Sequence, residues 1–250
     1  MSYRSALVTG ANSGIGAAFV EALAGRAEVL LAGRHSDQLT ALVERVAAPG
    51  LGCIAVDLGA PGGCERVAAP GLGYIAADLG APGGCERLVA EARRRGIDLF
   101  VHNAAVARYG SFLGKSLADE LDLVRVNVLA AVELFHSLIP IMLQNARTYG
   151  GRAGLIAVSS TAAVNKAAKP NMATYGASKS FVLRLVESLA VELKDEPIDF
   201  LALCPTYTAT SHFKRAGIPI DHLTRPMMSP QEVVRQGLAA IGEKTVHICE

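Results

Sequence analysis

The sequence predicts an α/β fold: a doubly wound parallel sheet between two layers of helices, a three-layer α/β/α arrangement forming one domain over residues 1–250. Three observations carry that prediction. Short apolar runs alternate with longer helical patterns along the chain, as parallel βαβ units require. The short runs are nearly continuous in hydrophobicity, as strands covered by helices on both faces are. A glycine turn joins the first run directly to a helical pattern. No linker or shift in composition divides the chain.

The elements follow in order. Residues 6–9, closed by Gly10, read as a strand, and residues 14–24 as a helix. Residues 29–32 form a second strand, and Ser36 is placed to cap a helix over residues 38–47. A strand over 98–102 precedes a long helical pattern over 117–145, with Pro140 near its end. Residues 155–159 read as a strand and 175–194 as a helix. A strand over 198–204 is closed by Pro205, and a helix over 231–241 leads to a last strand over 246–248. The strand order expected for such a sheet is 3-2-1-4-5-6-7.

The third strand lies in a tandem duplication. Residues 44–64 and 65–85 are identical except for Cys53 against Tyr74 and Val56 against Ala77. Two copies are too few for a solenoid, so the repeat reads as a local duplication inside an ordinary fold. Each copy holds one candidate strand, ending in Asp57 or Asp78. Use of the second copy places the extra residues in a loop before the strand, where insertion is tolerated. Use of the first would interrupt a helix, so Asp78 is favoured over Asp57. An extra strand at this sheet edge could lengthen the sheet or pair with another molecule.

Composition excludes several classes. The formal net charge is +1 and no basic stripe is present, which gives no electrostatic reason to expect nucleic acid or an anionic membrane as partner. The longest apolar runs are interrupted by Gly, Arg or Glu, which argues against a membrane span. Residues 1–4 lead straight into Ala6, Leu7 and Val8 with no secretory-signal pattern. Five cysteines with no C-x-x-C pair point to reduced thiols and a cytoplasmic location. His and Cys do not cluster at metal-ligand spacing, so no metal site is expected.

Two motifs carry chemistry. The first is Thr9-Gly10-Ala11-Asn12-Ser13-Gly14-Ile15-Gly16, between the first strand and the first helix. Glycines let the backbone turn sharply and approach a pyrophosphate, and the helix start offers free N–H groups. A glycine turn alone is a weak signal, and its place after the first strand strengthens it. The second strand ends at Gly33-Arg34, where an acidic residue would accept from a ribose 2′-hydroxyl. Arg34 instead suits a 2′-phosphate, with Asn12 and Ser13 as further donors. This reading gives NADP(H), preferred over NAD(H); the plain alternative is a solvated surface arginine.

The second motif is Tyr175-Gly176-Ala177-Ser178-Lys179. Positions four apart share a helix face, and an ammonium beside a phenol is expected to lower the tyrosine pKa from about 10. Such a tyrosine exchanges a proton with a carbonyl or alcohol oxygen. Upstream, Ser159-Ser160 closes an apolar strand and supplies hydroxyls. Y-x-x-x-K alone is common; its combination with the glycine loop is not.

The ordered set T-G-x-x-x-G-I-G, N-A, S-S and Y-x-A-S-K resembles the short-chain dehydrogenase/reductase family along nearly the whole chain. The resemblance implies an oxidoreductase of Rossmann fold that moves a hydride between NADP(H) and an alcohol or carbonyl compound. It implies Gly10, Gly14, Ile15 and Gly16 as the cofactor loop, Asn103 lining the cofactor, Asp57 or Asp78 at the adenine, and Pro205 and Thr208 beside the nicotinamide. It implies Tyr175 as acid/base, Ser160 as the substrate-orienting serine, Lys179 on the nicotinamide ribose, and Asn127 holding a water against that lysine. Phe213, Met227 and Met228 fall where the family places its substrate lid. A homodimer or homotetramer through two long helices is also implied. The sequence departs at His102 and Ala105 of the N-N-A-G segment, at Thr206 after Pro205, and in a longer stretch between Ser160 and Tyr175. That longer stretch leaves Ser159 as the alternative serine. His102 reads as a packed residue at a strand end. The rival reading is a non-catalytic NADP(H)-binding or sensor protein whose site the duplication has perturbed. An extended-branch sugar epimerase is disfavoured, because no substrate domain follows the sheet.

Overall fold

The computed structural model describes residues 3–47, 72–165, 170–219 and 226–250. In chain order the elements are β1 (Ser5–Thr9), α1 (Gly14–Leu23), β2 (Glu28–Gly33), α2 (Ser36–Val46), β3 (Leu72–Ala76), α3 (Gly84–Arg95), β4 (Leu99–His102), α4 (Leu117–Val124), α5 (Ala130–Tyr149), β5 (Ala153–Val158), α6 (Thr161–Val164), α7 (Ala173–Glu192), β6 (Ile198–Cys204), α8 (His212–Ala216), α9 (Pro230–Ala240) and β7 (Val246–Ile248). The strands form one parallel sheet in the order β3-β2-β1-β4-β5-β6-β7, as expected.

The continuous hydrophobicity of the strands now has its cause. Successive side chains alternate between the faces, and each face meets its own helical layer. Leu7, Leu30, Phe100, Leu155 and Phe200 pack with Leu88 of α3, Leu138 of α5 and Val186 of α7. Val8, Leu31, Val101, Ile156 and Leu203 pack with Phe19 of α1, Leu42 of α2 and Val233 of α9. The buried Asp98 carboxylate accepts from the backbone N–H of Arg4 at 2.9 Å and of Ser5 at 3.0 Å, clipping the start of β1 to β4.

Local chemistry sets the ends. Ser116 caps α4 by accepting from the Asp119 N–H at 3.1 Å, and Ser229 caps α9 by accepting from the Glu232 N–H at 3.1 Å, with Pro230 as first helical residue. Ser36 corrects the sequence reading: it is the first residue of α2, and His35 holds the cap position without a side-chain cap bond. The long helical pattern is also revised. It divides into α4, a π-turn over Arg125–Leu129 and α5, and ends at Gly150 with φ +72°. This run of 33 residues is long and apolar enough by composition to cross a membrane, against the sequence reading, yet 61% of its most apolar window is buried inside the fold.

The edge strand β3 comes from the second copy of the repeat and pairs with β2 from Leu72 opposite Val29 to Ala76 opposite Gly33. A turn from Asp78 to Gly83 leads directly into α3, as the preference for the second copy requires. The first-copy strand ending at Asp57, with Cys53 and Cys64, lies outside the described residues, as do residues 166–169 of the longer stretch before Tyr175.

Candidate active site

β1 lies between β2 and β4, so the chain runs one way across the sheet after β1 and the other way after β4. At that switch point the loops beyond the strand ends part, and open a crevice. A cavity of about 450 Å³ occupies it.

The glycine loop forms one wall. Gly10 and Gly14 have φ +63° and +59°, a region that side chains avoid. A Cβ on Gly10 would meet Asn103 Nδ2 at 2.8 Å and Ala104 Cα at 2.9 Å. Gly16 lies just behind the cavity lining, where a Cβ would collide with the Gly10 carbonyl oxygen. Asn103 holds the loop in place: its amide donates to the Thr9 carbonyl at 3.0 Å and the Gly10 carbonyl at 3.1 Å. Thr9 Oγ1 accepts in return from the N–H groups of Asn103 and Ala104. The start of α1 thus faces the cavity with a tightly fixed backbone and no side chain in the way.

At one end of the cavity stand Arg34, Asp78 and Ser13. Asn12 donates to Gln38 Oε1 at 2.7 Å, and its Oδ1 sits where a Cβ on Gly33 would be. Arg34 is exposed, and no carboxylate among the described residues pairs with it. Asp78 is exposed and accepts from the Gly80 N–H at 3.0 Å.

At the other end stand Tyr175, Ser160 and Lys179. Ser160 lines the cavity with Tyr175, its hydroxyl near enough to favour the phenolate, and caps α6 by accepting from the Ala162 N–H at 3.1 Å. Ser159 points away and donates to the Lys179 carbonyl at 2.8 Å, so Ser160 is the serine that faces the tyrosine. Lys179 is 5% exposed and donates to the Val158 carbonyl at 2.9 Å, with Nζ 5.8 Å from the centre of the Tyr175 ring. Burial lowers Lys179 to about 8. The expected lowering of Tyr175 by the lysine is corrected: burial dominates and pushes the phenol up to about 12, opposed only by the Ser160 hydroxyl.

Asn127 sits in the π-turn, 2% exposed, and does not line the cavity. Its side chain exchanges hydrogen bonds with the backbone of Val106 and donates to Ser178 Oγ at 3.0 Å. Ser178 donates in turn to the Tyr175 carbonyl at 2.8 Å. The Asn127 side chain thus clamps the loop after β4 to the first turn of α7. Pro205 accepts from the Thr161 N–H at 3.0 Å, and Thr208 pairs with Met228. Phe213 lines the cavity, whereas Met227 and Met228 do not.

Among the lining residues that escaped the sequence reading, three touch the loop or the tyrosine. Thr210 packs its methyl where a Cβ on Gly14 would be, at 2.9 Å. Arg215 reaches Ser13 from α8. His212 places its ring 6.0 Å from that of Tyr175. Nothing local in the sequence distinguishes the Lys214-Arg215 pair.

Two histidines, His102 buried and His212 partly buried, give the fold a pH dependence. His102 packs edge-on against Phe100 and Phe135, as the packed-residue reading expects, and burial, then Lys179, lowers it to about 3. His212 is lowered to about 4 by burial, then by Lys179 and Arg215. Both bind protons more readily unfolded than folded, so stability falls as pH drops from about 6.5 toward the folded values. At pH 5 the loss is up to about 2 kcal/mol per histidine. Thermal melts at pH 7 and pH 5 check this: His102→Leu should lose less stability than the parent over that interval, and an equal loss would refute the assignment.

The comparisons agree with this fold. The family model described as short chain dehydrogenase matches residues 65–218, starting at the first residue of the second copy. An uncharacterized oxidoreductase of Myxococcus xanthus is 32% identical over 221 residues, covering 85% of this chain and 77% of that protein. Oxidoreductase UcpA of Salmonella typhimurium is 27% identical, covering 83% of this chain and 70% of that protein. A short-chain dehydrogenase from Sphingobium yanoikuyae, solved in complex with NADPH, superposes with a TM-score of 0.81 at 28% identity, covering 98% of this chain and 87% of that one. The chain belongs to the short chain dehydrogenase family of oxidoreductases.

Proposed function

We propose that the protein is an NADP(H)-dependent oxidoreductase that interconverts a small carbonyl compound and its alcohol, with Tyr175 as acid/base. The observation that carries this reading is the meeting of Tyr175, Ser160 and Lys179 in the wall of the same cavity that the glycine loop and Arg34 line. The residues fit the cofactor: Gly10, Gly14 and Gly16 let the loop pack tightly against Asn103, Thr210 and its own backbone, so that the start of α1 meets the cavity as bare backbone, and Arg34 offers a guanidinium. Asn12, Ser13, Ile15, Asp78, Asn103, Pro205 and Thr208 complete that wall or hold it. When bound, NADPH supplies the hydride.

The chain supplies binding, orientation and the proton. Ser160 and Tyr175 hold the carbonyl oxygen between two hydroxyls. At neutral pH Tyr175 is protonated, because burial raises it to about 12, so it is ready to donate. Lys179, lowered to about 8, remains mostly cationic and stabilises negative charge as the phenol gives up its proton. Asn127 is a positioning residue that fixes the first turn of α7. The reverse oxidation uses the same groups.

Met172, Tyr207, Phe213 and Ile218 give the substrate end an apolar wall, and its titratable histidine, His212, is held neutral. That lining suits an apolar carbonyl compound over a phosphorylated or CoA-linked one. Formation of β3 by the second copy supports an undamaged site, against the non-catalytic alternative. Leu129, Val132, Phe181 and Val191 are exposed on the π-turn, α5 and α7, which supports a homodimer or homotetramer through these helices. Its place is the cytoplasm.

Fluorescence titration with NADPH and with NADH tests the cofactor. NADPH should bind at least about tenfold tighter, since a charge-assisted hydrogen bond is worth about 1.5–3 kcal/mol. Arg34→Ala should reduce that difference. No saturable binding of either nucleotide would overturn the proposal.

A further inference from the structure

We propose that Arg215 on α8 is a second cation for the cofactor's 2′-phosphate, so that one side chain ties the phosphate end of the cofactor to the wall of the substrate pocket. This rests on the NADP(H) reading above and names a specificity residue that reading lacks.

Arg215 belongs to the far side of the cavity. Its sequence distance from the glycine loop is 202 residues, yet Nη1 and Nη2 both donate to Ser13 Oγ at 3.3 Å, and Nη1 donates to Ser211 Oγ at 2.7 Å. A guanidinium has five N–H donors. Two hydroxyls leave part of that capacity and all of its charge without a counter-ion. Arg34 lines the same cavity, and among the described residues no carboxylate pairs with either arginine. Partial burial of its guanidinium and then the nearby Arg34 charge hold Arg215 below its ordinary range. Two guanidinium groups that repel each other and share no acid form an arrangement that a dianion relieves. A 2′-phosphate reaching Arg34 past Ser13 meets such a pair, and planar guanidinium groups match its oxygens.

The same helix reaches the chemistry. His212, one turn before Arg215, lies beside Tyr175, and Phe213 packs on Tyr207 with ring centres 5.6 Å apart. The Ala216 carbonyl accepts from the Tyr109 N–H at 2.8 Å, joining the end of α8 to the loop after β4. Fixing Arg215 on a phosphate therefore fixes the wall that faces the substrate. NAD(H), without that phosphate, occupies the glycine loop but leaves α8 unclamped.

The test compares the parent, Arg34→Ala, Arg215→Gln and Arg215→Lys. Arg215 is exposed, so both substitutions at that position should fold. Kd is measured for NADPH, NADH and adenosine 2′,5′-bisphosphate, and amide exchange of residues 212–217 is followed with each nucleotide. Arg215→Gln should weaken NADPH and the bisphosphate about tenfold, NADH less than about twofold, and Arg215→Lys should fall between. In the parent, NADPH should slow exchange over 212–217 more than NADH does, and Arg215→Gln should remove that difference. If the parent prefers NADPH and Arg34→Ala removes the preference, but Arg215→Gln weakens all three nucleotides equally or none, the inference fails while the NADP(H) reading stands. A parent without preference for NADPH overturns both.

Discussion

Tyr175→Phe should lower kcat for carbonyl reduction by roughly 10³-fold, within the range of general acid–base catalysis, while leaving the Kd for NADPH within about twofold. The substitution removes one oxygen. The ring keeps its place in α7, 9% exposed, so the fold and the cofactor wall are untouched. What is lost is the proton donor, and the neighbours cannot replace it. The Lys179 ammonium is engaged with the Val158 carbonyl, and Ser159 with the Lys179 carbonyl. Ser160 remains to hold the substrate oxygen, but a hydroxyl is a far weaker acid than a phenol. His212 faces the same end, and with its pKa lowered to about 4 it is neutral at pH 7 and a poor acid. Single-turnover measurements with saturating NADPH separate this from a binding defect. More than about a tenth of the parent rate in Tyr175→Phe, against a loss of 10²–10⁴-fold expected for a missing acid, would sink the assignment. A Tyr175→Phe/His212→Phe pair would then ask whether His212 carries the residual rate.

The fold was legible because its main signals are local. Each apolar run long enough to cross the sheet is bounded by Gly, Pro or a polar cap, and the parallel order follows from alternation with helices. Even the choice between duplicated strands was readable, since only the second copy runs directly into α3. Short or irregular elements were not. α6 and α8, of 4 and 5 residues, hold too few turns to show a period, and the π-turn at Asn127 shifts the helical phase by one residue without changing composition. At the site, spacing put Tyr175 and Lys179 on one helix face but could not give the sign of the tyrosine's shift. That sign depends on burial contributed by other elements. Nor could spacing reveal Arg215, whose partner Ser13 lies at the opposite end of the chain.

Gly16→Ala should abolish measurable NADPH binding, a loss of about 100-fold or more, while lowering stability by about 1–3 kcal/mol, the usual range for an overpacked site. The added methyl carbon would meet the Gly10 carbonyl oxygen and, at 2.6 Å, Asn103 Nδ2. Neither neighbour can retreat cheaply. Gly10 is held by the Asn103 amide at 3.1 Å, and the next residue, Ala11, donates to the Ala32 carbonyl at 3.0 Å. Asn103 is bound in turn to the Thr9 carbonyl. The strain therefore falls on the start of α1, which must tilt away from the loop and carry its free N–H groups with it. Those groups seat a pyrophosphate only at hydrogen-bond distance, so a shift of a few tenths of an ångström costs the site far more than it costs the fold. Gly176→Ala is the matched control: nothing lies within 4 Å of its added carbon, its φ is ordinary, and an alanine in the first turn of α7 should raise stability by up to about 1 kcal/mol with NADPH affinity unchanged. Titration of both variants decides the matter. NADPH affinity retained in Gly16→Ala would mean that the start of α1 is not where the pyrophosphate sits, and the cofactor would have to be placed elsewhere in the crevice.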